Sequence, residues 1–441
     1  MSNRDVEPFT HVTSVDGLDL DLWMIVFDRA GGCTSPQTRA RVLELLASGT
    51  YTDVYLFSHG WNNDWDTALG RYLHFVQGYA KLRREKQVAI GRPYVPLLIG
   101  IAWPSTSLLF PWEQPPAIAA GVPSAAVALA AEDAAAFDLM RDELRFPDAE
   151  RARALIVSPL LNAEGAEELA RLLSPAFAQD DGEGTPAVDP KLLAANLLAS
   201  HEDDEPLDPE TPFVPTEAGG NGPTAAGSFG FLDPRQLLRG VTVRTMKDRA
   251  GRVGAHGVGP LLRDVLAQCA ARVHLLGHSY GARVVLSAVC GVDHPRKVDS
   301  MLLLQPAVNR MCFAAKAIAD GSPGGYRPAL DRVRQPIFTT FSKYDTALTK
   351  YFHLALNRAV DEGEVRIAGA PPRFGALGGY GPGGLEPEVC AQVPMTLHPD
   401  RYAPLPSHRV LALNGDCTIT GHGDISNPST WWALVNQVAV P

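Results

Sequence analysis

Gly277-His278-Ser279-Tyr280-Gly281 fills a G-x-S-x-G pattern between two different kinds of segment. Arg272–Leu276 before it reads as a short buried strand, and Ala282–Cys290 after it reads as a helix. A serine on so tight a strand-to-helix turn presents its hydroxyl from a strained backbone, the setting that a nucleophile requires. The flanking glycines are expected where neighbouring elements pass too close for a side chain. Ser279 is therefore the expected nucleophile rather than an ordinary turn serine.

A serine hydroxyl reacts only when a base takes its proton, and the base needs an acid to hold its tautomer. Where the serine sits on such a turn, acid and base follow at the C-terminal ends of later strands, in that order. The β-rich run Ile337–Phe341 leads into a polar turn ending at Asp345, the expected acid. Asp345 could also cap a helix over 346–351, and the two roles can coexist. Asp293 and Asp299 precede the strand expected at Met301–Leu304, which puts them at its wrong end. The expected base is His422, between Gly421 and Gly423, after a strand at Arg409–Leu413 and before the last helix. His408 starts that strand at its wrong end, while His353 and His256 lie in helix-like or pre-helix context. Asp424 is close enough in sequence to support His422, though Asp345 is the better partner.

Charge developing on the attacked oxygen needs preorganised donors, each worth roughly 3–4 kcal/mol. The backbone N–H of Tyr280 is one candidate. The other comes from the loop after an earlier strand, Val54–Phe57, followed by Ser58-His59-Gly60-Trp61. There the N–H of Trp61 is the expected donor, with Gly60 permitting close approach, although Trp61 could instead cap the core beneath the site. His59, Gly60 and His278 are expected around the substrate, His59 mainly as a brace for its loop.

Apolar runs of strand and helix character alternate through the first hundred residues: Leu18–Phe27, Thr38–Ala47, Asp53–Phe57, Thr67–Leu82 and Val95–Ala102. This pattern predicts an α/β fold with a mostly parallel central sheet flanked by helices. It breaks between about Ser107 and Arg239, where Leu129–Arg145, Glu164–Leu173 and Lys191–Ser200 read as Ala/Leu-rich helices with hardly any strand signal. Acidic Pro/Gly-rich stretches lie among them, and 202–230 reads as a flexible loop. Alternation resumes with a helix at Val258–Ala270 and ends with one at Thr430–Val438. The string Gly379–Gly384 matches a dinucleotide-binding pattern formally, but it neither follows a clear strand nor opens a helix.

The chain has 441 residues, 46% hydrophobic and 20% charged, with a formal charge of -10. No basic stripe is available to neutralise phosphates, so nucleic acid is excluded as a partner. The N-terminus lacks the profile of a secretory signal, and the six cysteines show neither metal-like nor disulfide-framework spacing. A cytoplasmic setting is expected. Gln114–Ala131, uncharged but Ala-rich and broken by prolines, reads as a protein-packed segment; peripheral membrane contact there is not expected. The sequence carries no sign of oligomeric state.

Several of these pieces together resemble the α/β-hydrolase superfamily, in its lipase/esterase-like branch. The likeness rests on Phe57-Ser58-His59-Gly60-Trp61, Ala102-Trp103-Pro104-Ser105, Leu276 to Arg283, Asp345 and His422. A strand ending in Trp-Pro-Ser is similar to a group of largely uncharacterised bacterial serine hydrolases. The resemblance implies an α/β-hydrolase core over 1–108 and 245–441, and an inserted, largely helical cap or lid over 109–244. It implies cleavage of a carboxylic ester with neither metal nor organic cofactor, Ser279, Asp345 and His422 being catalytic. Apolar residues entering the insertion, Ser107–Trp112, suggest a small-molecule ester or lipid-like substrate. An amide or thioester would suit the same residues, and a binding protein that kept the fold without activity is the alternative from another class.

Overall fold

The strands of this chain line up side by side so that nearly all of them end at the same edge. The computed structural model describes residues 10–12, 20–105, 148–156, 158, 161–177, 244–317, 321–352 and 375–439. The strands are β1 (Thr10–Val12), β2 (Leu20–Val26), β3 (Asp53–Ser58), β4 (Pro96–Ala102), β5 (Arg272–His278), β6 (Ser300–Leu304), β7 (Ile337–Phe341), β8 (Cys390–Pro394) and β9 (Val410–Asn414). They form one sheet in the order β1-β2-β4-β3-β5-β6-β7-β9-β8. Only β1 pairs antiparallel; every other neighbouring pair is parallel.

The helices of the described residues include α1 (Pro36–Ala47), α2 (Trp65–Glu85), α3 (Ala149–Ile156), α4 (Ala163–Phe177), α5 (Gly259–Gln268), α6 (Tyr280–Gly291) and α7 (Pro428–Val438). α1, α5 and α6 lie on one face of the sheet and α2 and α7 on the other, and β3 shows why its interior, Val54–Phe57, is apolar. Its Val54 and Leu56 enter one core with Val42 of α1, Leu262 of α5 and Val284 of α6. Its Tyr55 and Phe57 enter the other with Tyr72 and Phe75 of α2 and Trp432 of α7. Alternate residues point to opposite faces, so a strand sandwiched by helices cannot afford a polar side.

β3 lies between β4 and β5. The chain leaves β3 through α2 on one face and leaves β5 through α6 on the other. Connections that diverge in this way open a crevice outside the carboxyl ends of the two strands, where ligands of open α/β sheets bind.

Most expected elements shift only at their ends, as terminal residues commonly do. The helix expected from Val258 starts earlier: residues 244–252 are α-helical, Val253–Val258 continue in π register, and α5 follows. Gly251, Gly254 and Gly257 lower helix propensity there and hid the segment. β1 and β8 were not expected. β8 is a half-exposed edge strand ending in Pro394, and its mixed polarity carries no pattern. Within 109–244, Glu164–Leu173 lies inside α4, which packs on α3 with an Arg151–Glu168 ion pair at 2.6 Å. The helices expected at Leu129–Arg145 and Lys191–Ser200, the segment Gln114–Ala131 and the loop 202–230 lie outside the described residues.

Candidate active site

Ser279 stands between β5 and α6 with φ 55° and ψ -123°. That conformation is strained for a side-chain-bearing residue, costs on the order of 1–3 kcal/mol, and persists only where its surroundings enforce it. They do: the Ser279 N–H donates to the Leu304 carbonyl at 3.1 Å, and its own carbonyl accepts from Ala282 and Ala307, both at 3.1 Å. A β-carbon on Gly277 would lie 2.6 Å from the Ala282 α-carbon, and one on Gly281 would collide with the carbonyls of Ser58 and His59. Both glycines are thus required by close approach of backbone.

The residues expected to cooperate with Ser279 converge on it although they are far apart in sequence. His422 Nε2 lies 2.9 Å from Ser279 Oγ, and His422 Nδ1 lies 2.8 Å from Asp345 Oδ2. A carboxylate oxygen can only accept, so Nδ1 carries the proton and Nε2 accepts from the serine hydroxyl. Asp345 is fully buried, and its other oxygen, Oδ1, accepts the Leu348 N–H at 3.1 Å. It therefore also caps the π turn Ala347–Tyr351 that follows. The acid and base loops are stapled together: Ser342 Oγ donates to the Ile419 carbonyl at 3.0 Å, and the Lys343 N–H donates to Asp416 Oδ1 at 2.9 Å.

The loop after β3 closes the other side. A β-carbon on Gly60 would stand 2.6 Å from Ser279 Cβ and 3.2 Å from its Oγ, so this residue touches the serine directly. Trp61 is next in the chain and half-buried. His59 is buried with its ring stacked on Trp103 at 5.4 Å, and its Nδ1 donates to the Gly60 carbonyl at 2.8 Å. Burial pulls its pKa down to about 4 against the opposing Gly60 bond, with the positive charge of Arg71 adding to the drop. His278 is buried too; its Nε2 donates to the His422 carbonyl at 3.0 Å, and burial followed by the neighbouring His422 holds it well below the ordinary imidazole value. His59 braces its loop as expected, and His278, expected around the substrate, is buried and turns its Nε2 onto the backbone of the loop that carries His422.

The alternative residues lie elsewhere. Asp299 is buried at the amino end of β6, accepting the Val273 N–H at 2.9 Å and pairing with Arg334 at 3.0 Å. Asp293 and His256 are exposed, and His408 accepts the Leu405 N–H at 3.1 Å. Asp424 accepts from Thr420 N and Oγ1 and so shapes the turn carrying His422. His353 lies outside the described residues.

Two residues near the site were given no role by sequence reasoning. Ser105, beyond β4, donates from Oγ to the Asn63 carbonyl at 2.9 Å and accepts the Asn63 N–H at 3.1 Å, while Asn63 Nδ2 reaches the carbonyls of Gly60 and Trp61. Gln305, beyond β6, contacts both Asp345 and the His422 loop. Their common signal is position: Gln305 directly follows β6 and Ser105 stands three residues beyond β4, both at the edge where Ser279 sits.

A second Ser–His–Asp array occupies the opposite end of the sheet. Ser300 Oγ lies 2.8 Å from His274 Nδ1, and His274 Nε2 lies 3.0 Å from Asp53 Oδ1. Arg92 grips Asp53 with two bonds of 2.7 and 2.6 Å. All three residues of this array are buried, and Ser300 lies within a strand without the positive φ of Ser279. It is an interior polar network that ties β3, β5 and β6 together.

Among the described residues, no helix is long and apolar enough to cross a membrane, and no group of His, Cys, Asp or Glu is arranged to hold a metal ion. No known protein family, curated protein or solved structure matches the chain.

Proposed function

We propose that the chain is a serine hydrolase of α/β-hydrolase type that cleaves a carboxylic ester through an acyl-enzyme. The observation that carries this reading is the hydrogen-bonded relay Ser279–His422–Asp345 ending on a serine with φ 55°. The strand order, with the serine at the crevice between β3 and β5, supports it.

In this reading Ser279 Oγ attacks the ester carbonyl carbon while its proton passes to His422 Nε2. Asp345 holds the Nδ1–H and stabilises the imidazolium that forms. The tetrahedral oxyanion is met by the Tyr280 N–H, in the first turn of α6, and by the Trp61 N–H beyond Gly60. Collapse expels the alcohol, which takes the proton from His422. Water then repeats the sequence on the acyl-enzyme, freeing the acid and restoring the serine.

A fluorophosphonate probe should label Ser279 and leave Ser279→Ala unlabelled. Hydrolysis of p-nitrophenyl esters should fall by about 10⁴- to 10⁶-fold in His422→Ala, as for groups that act as a unit. An unlabelled, folded wild-type protein would refute the reading.

A further inference from the structure

Gln305 is fully buried immediately after β6, with φ 43°, one of four positive-φ residues other than glycine among the described residues. Its backbone N–H donates to Thr340 Oγ1 at 2.9 Å, which fixes it against β7. Its side-chain amide then spends both protons on the proposed machinery. Nε2 lies 3.1 Å from Asp345 Oδ2 and 2.6 Å from the carbonyl of Gly421, the residue before His422. The amide cannot be turned around, because its oxygen would then face two acceptors. Its Oε1 is buried with no partner, so the side chain pays a desolvation cost to keep the nitrogen where it is.

Each part of this arrangement needs the others. Asp345 Oδ2 accepts from Gln305 and from His422 Nδ1 at once. Gly378 packs on the Gln305 backbone, where a side chain would collide, and its carbonyl accepts the Ser342 N–H at 3.0 Å. Gly378, just before the string Gly379–Gly384, is therefore the backing for this residue. Strain and an orphaned polar atom in the interior persist where surrounding structure enforces them, and such outliers cluster at functional sites.

We infer that Gln305 is a positioning residue that sets the distance between the acid loop and the base loop, one proton on each, and so keeps the His422 ring aligned on Ser279. The inference rests on the serine-hydrolase reading for its kinetic consequence but not for its geometric one. A shorter or apolar side chain leaves Asp345 Oδ2 with one donor fewer and releases the Gly421 carbonyl.

The test uses the full chain with Gln305→Met, which keeps length and removes both donors, and Gln305→Leu, which is shorter and removes them as well. With p-nitrophenyl esters, kcat should fall by about 10- to 100-fold with KM unchanged, the cost of one hydrogen bond to a charged group. The double variant with Asp345→Asn should be no slower than Asp345→Asn alone, since both act on the same ring. The downfield proton resonance of His422 Nδ1–H should shift or broaden in either Gln305 variant. An unchanged kcat, an unchanged resonance, or losses that simply multiply in the double variant would overturn the inference. If one variant fails to fold, the other gives the same readings. If wild type takes no fluorophosphonate, the hydrolase reading fails while the proton resonance still decides on Gln305.

Discussion

Replacing Gly60 by alanine tests whether the loop after β3 closes on the serine as tightly as it does here. The added β-carbon would stand 2.6 Å from Ser279 Cβ. Carbon atoms in good contact sit about 3.5–4.0 Å apart, so one wall must retreat by roughly 1 Å. Neither wall yields easily. Ser279 is pinned by bonds to Leu304, Ala282 and Ala307, all at 3.1 Å, and the His59 N–H is anchored on the Tyr72 hydroxyl at 2.8 Å. Overpacking of this kind costs about 1–3 kcal/mol in stability. A displacement near 1 Å at a reacting group costs about 10²-fold in rate. Gly60→Ala should therefore lose about 10²-fold in the second-order rate of fluorophosphonate labelling and unfold at lower urea than wild type. Gly70→Ala is the control, because a β-carbon at this exposed position in α2 meets nothing within 4 Å. It should label normally and be slightly more stable, since alanine favours helix over glycine. A Gly60→Ala protein that labels at the wild-type rate would show that the loop and the serine are not in contact.

Two further outcomes concern pH and the interior network. The His59 imidazole is pulled by burial to about 4 from an ordinary 6.5, so the unfolded chain binds more protons between those values. Its contribution to stability is complete above pH 6.5 and falls by roughly 3 kcal/mol as pH drops toward 4. An NMR titration placing the His59 midpoint near the ordinary value would contradict the packing described. For Asp53, burial pushes the carboxyl up, but hydrogen bonds from Arg92, His274 and Thr52 outweigh it and hold it well below the usual carboxylate range. Its stabilisation is thus present above that range and lost as pH falls through the folded value. Asp53→Asn should cost about 3–5 kcal/mol in urea unfolding at pH 7 and flatten the acid dependence; unchanged stability would sink that account.

Much of the fold was legible because its central strands are buried on both faces and read as unbroken apolar runs. The turn residues were legible for a related reason: Ser279, Asp345 and His422 each follow such a run, where only a polar residue with a task is expected. What escaped notice was polar support without a pattern. Gln305 looks like any residue after a strand until Asp345 and Gly421 are seen on either side of its amide. His59 and His278 carry the same side chain as His422, and only burial separates the braces from the ring that faces Ser279. The π stretch at 253–258 was hidden by glycines whose purpose, approach of α6 and the loop after β2, is a tertiary fact.

The relay draws its parts from the ends of β5, β7 and β9, and the imidazole comes from the last of these. During synthesis the hydroxyl is translated long before residue 422 leaves the ribosome. Through that interval it is an ordinary alcohol with no partner to take its proton. On the proposed hydrolase reading, a nascent or truncated polypeptide lacking His422 would leave the esters around it untouched, and activity would arrive only after the last strand of the sheet is made.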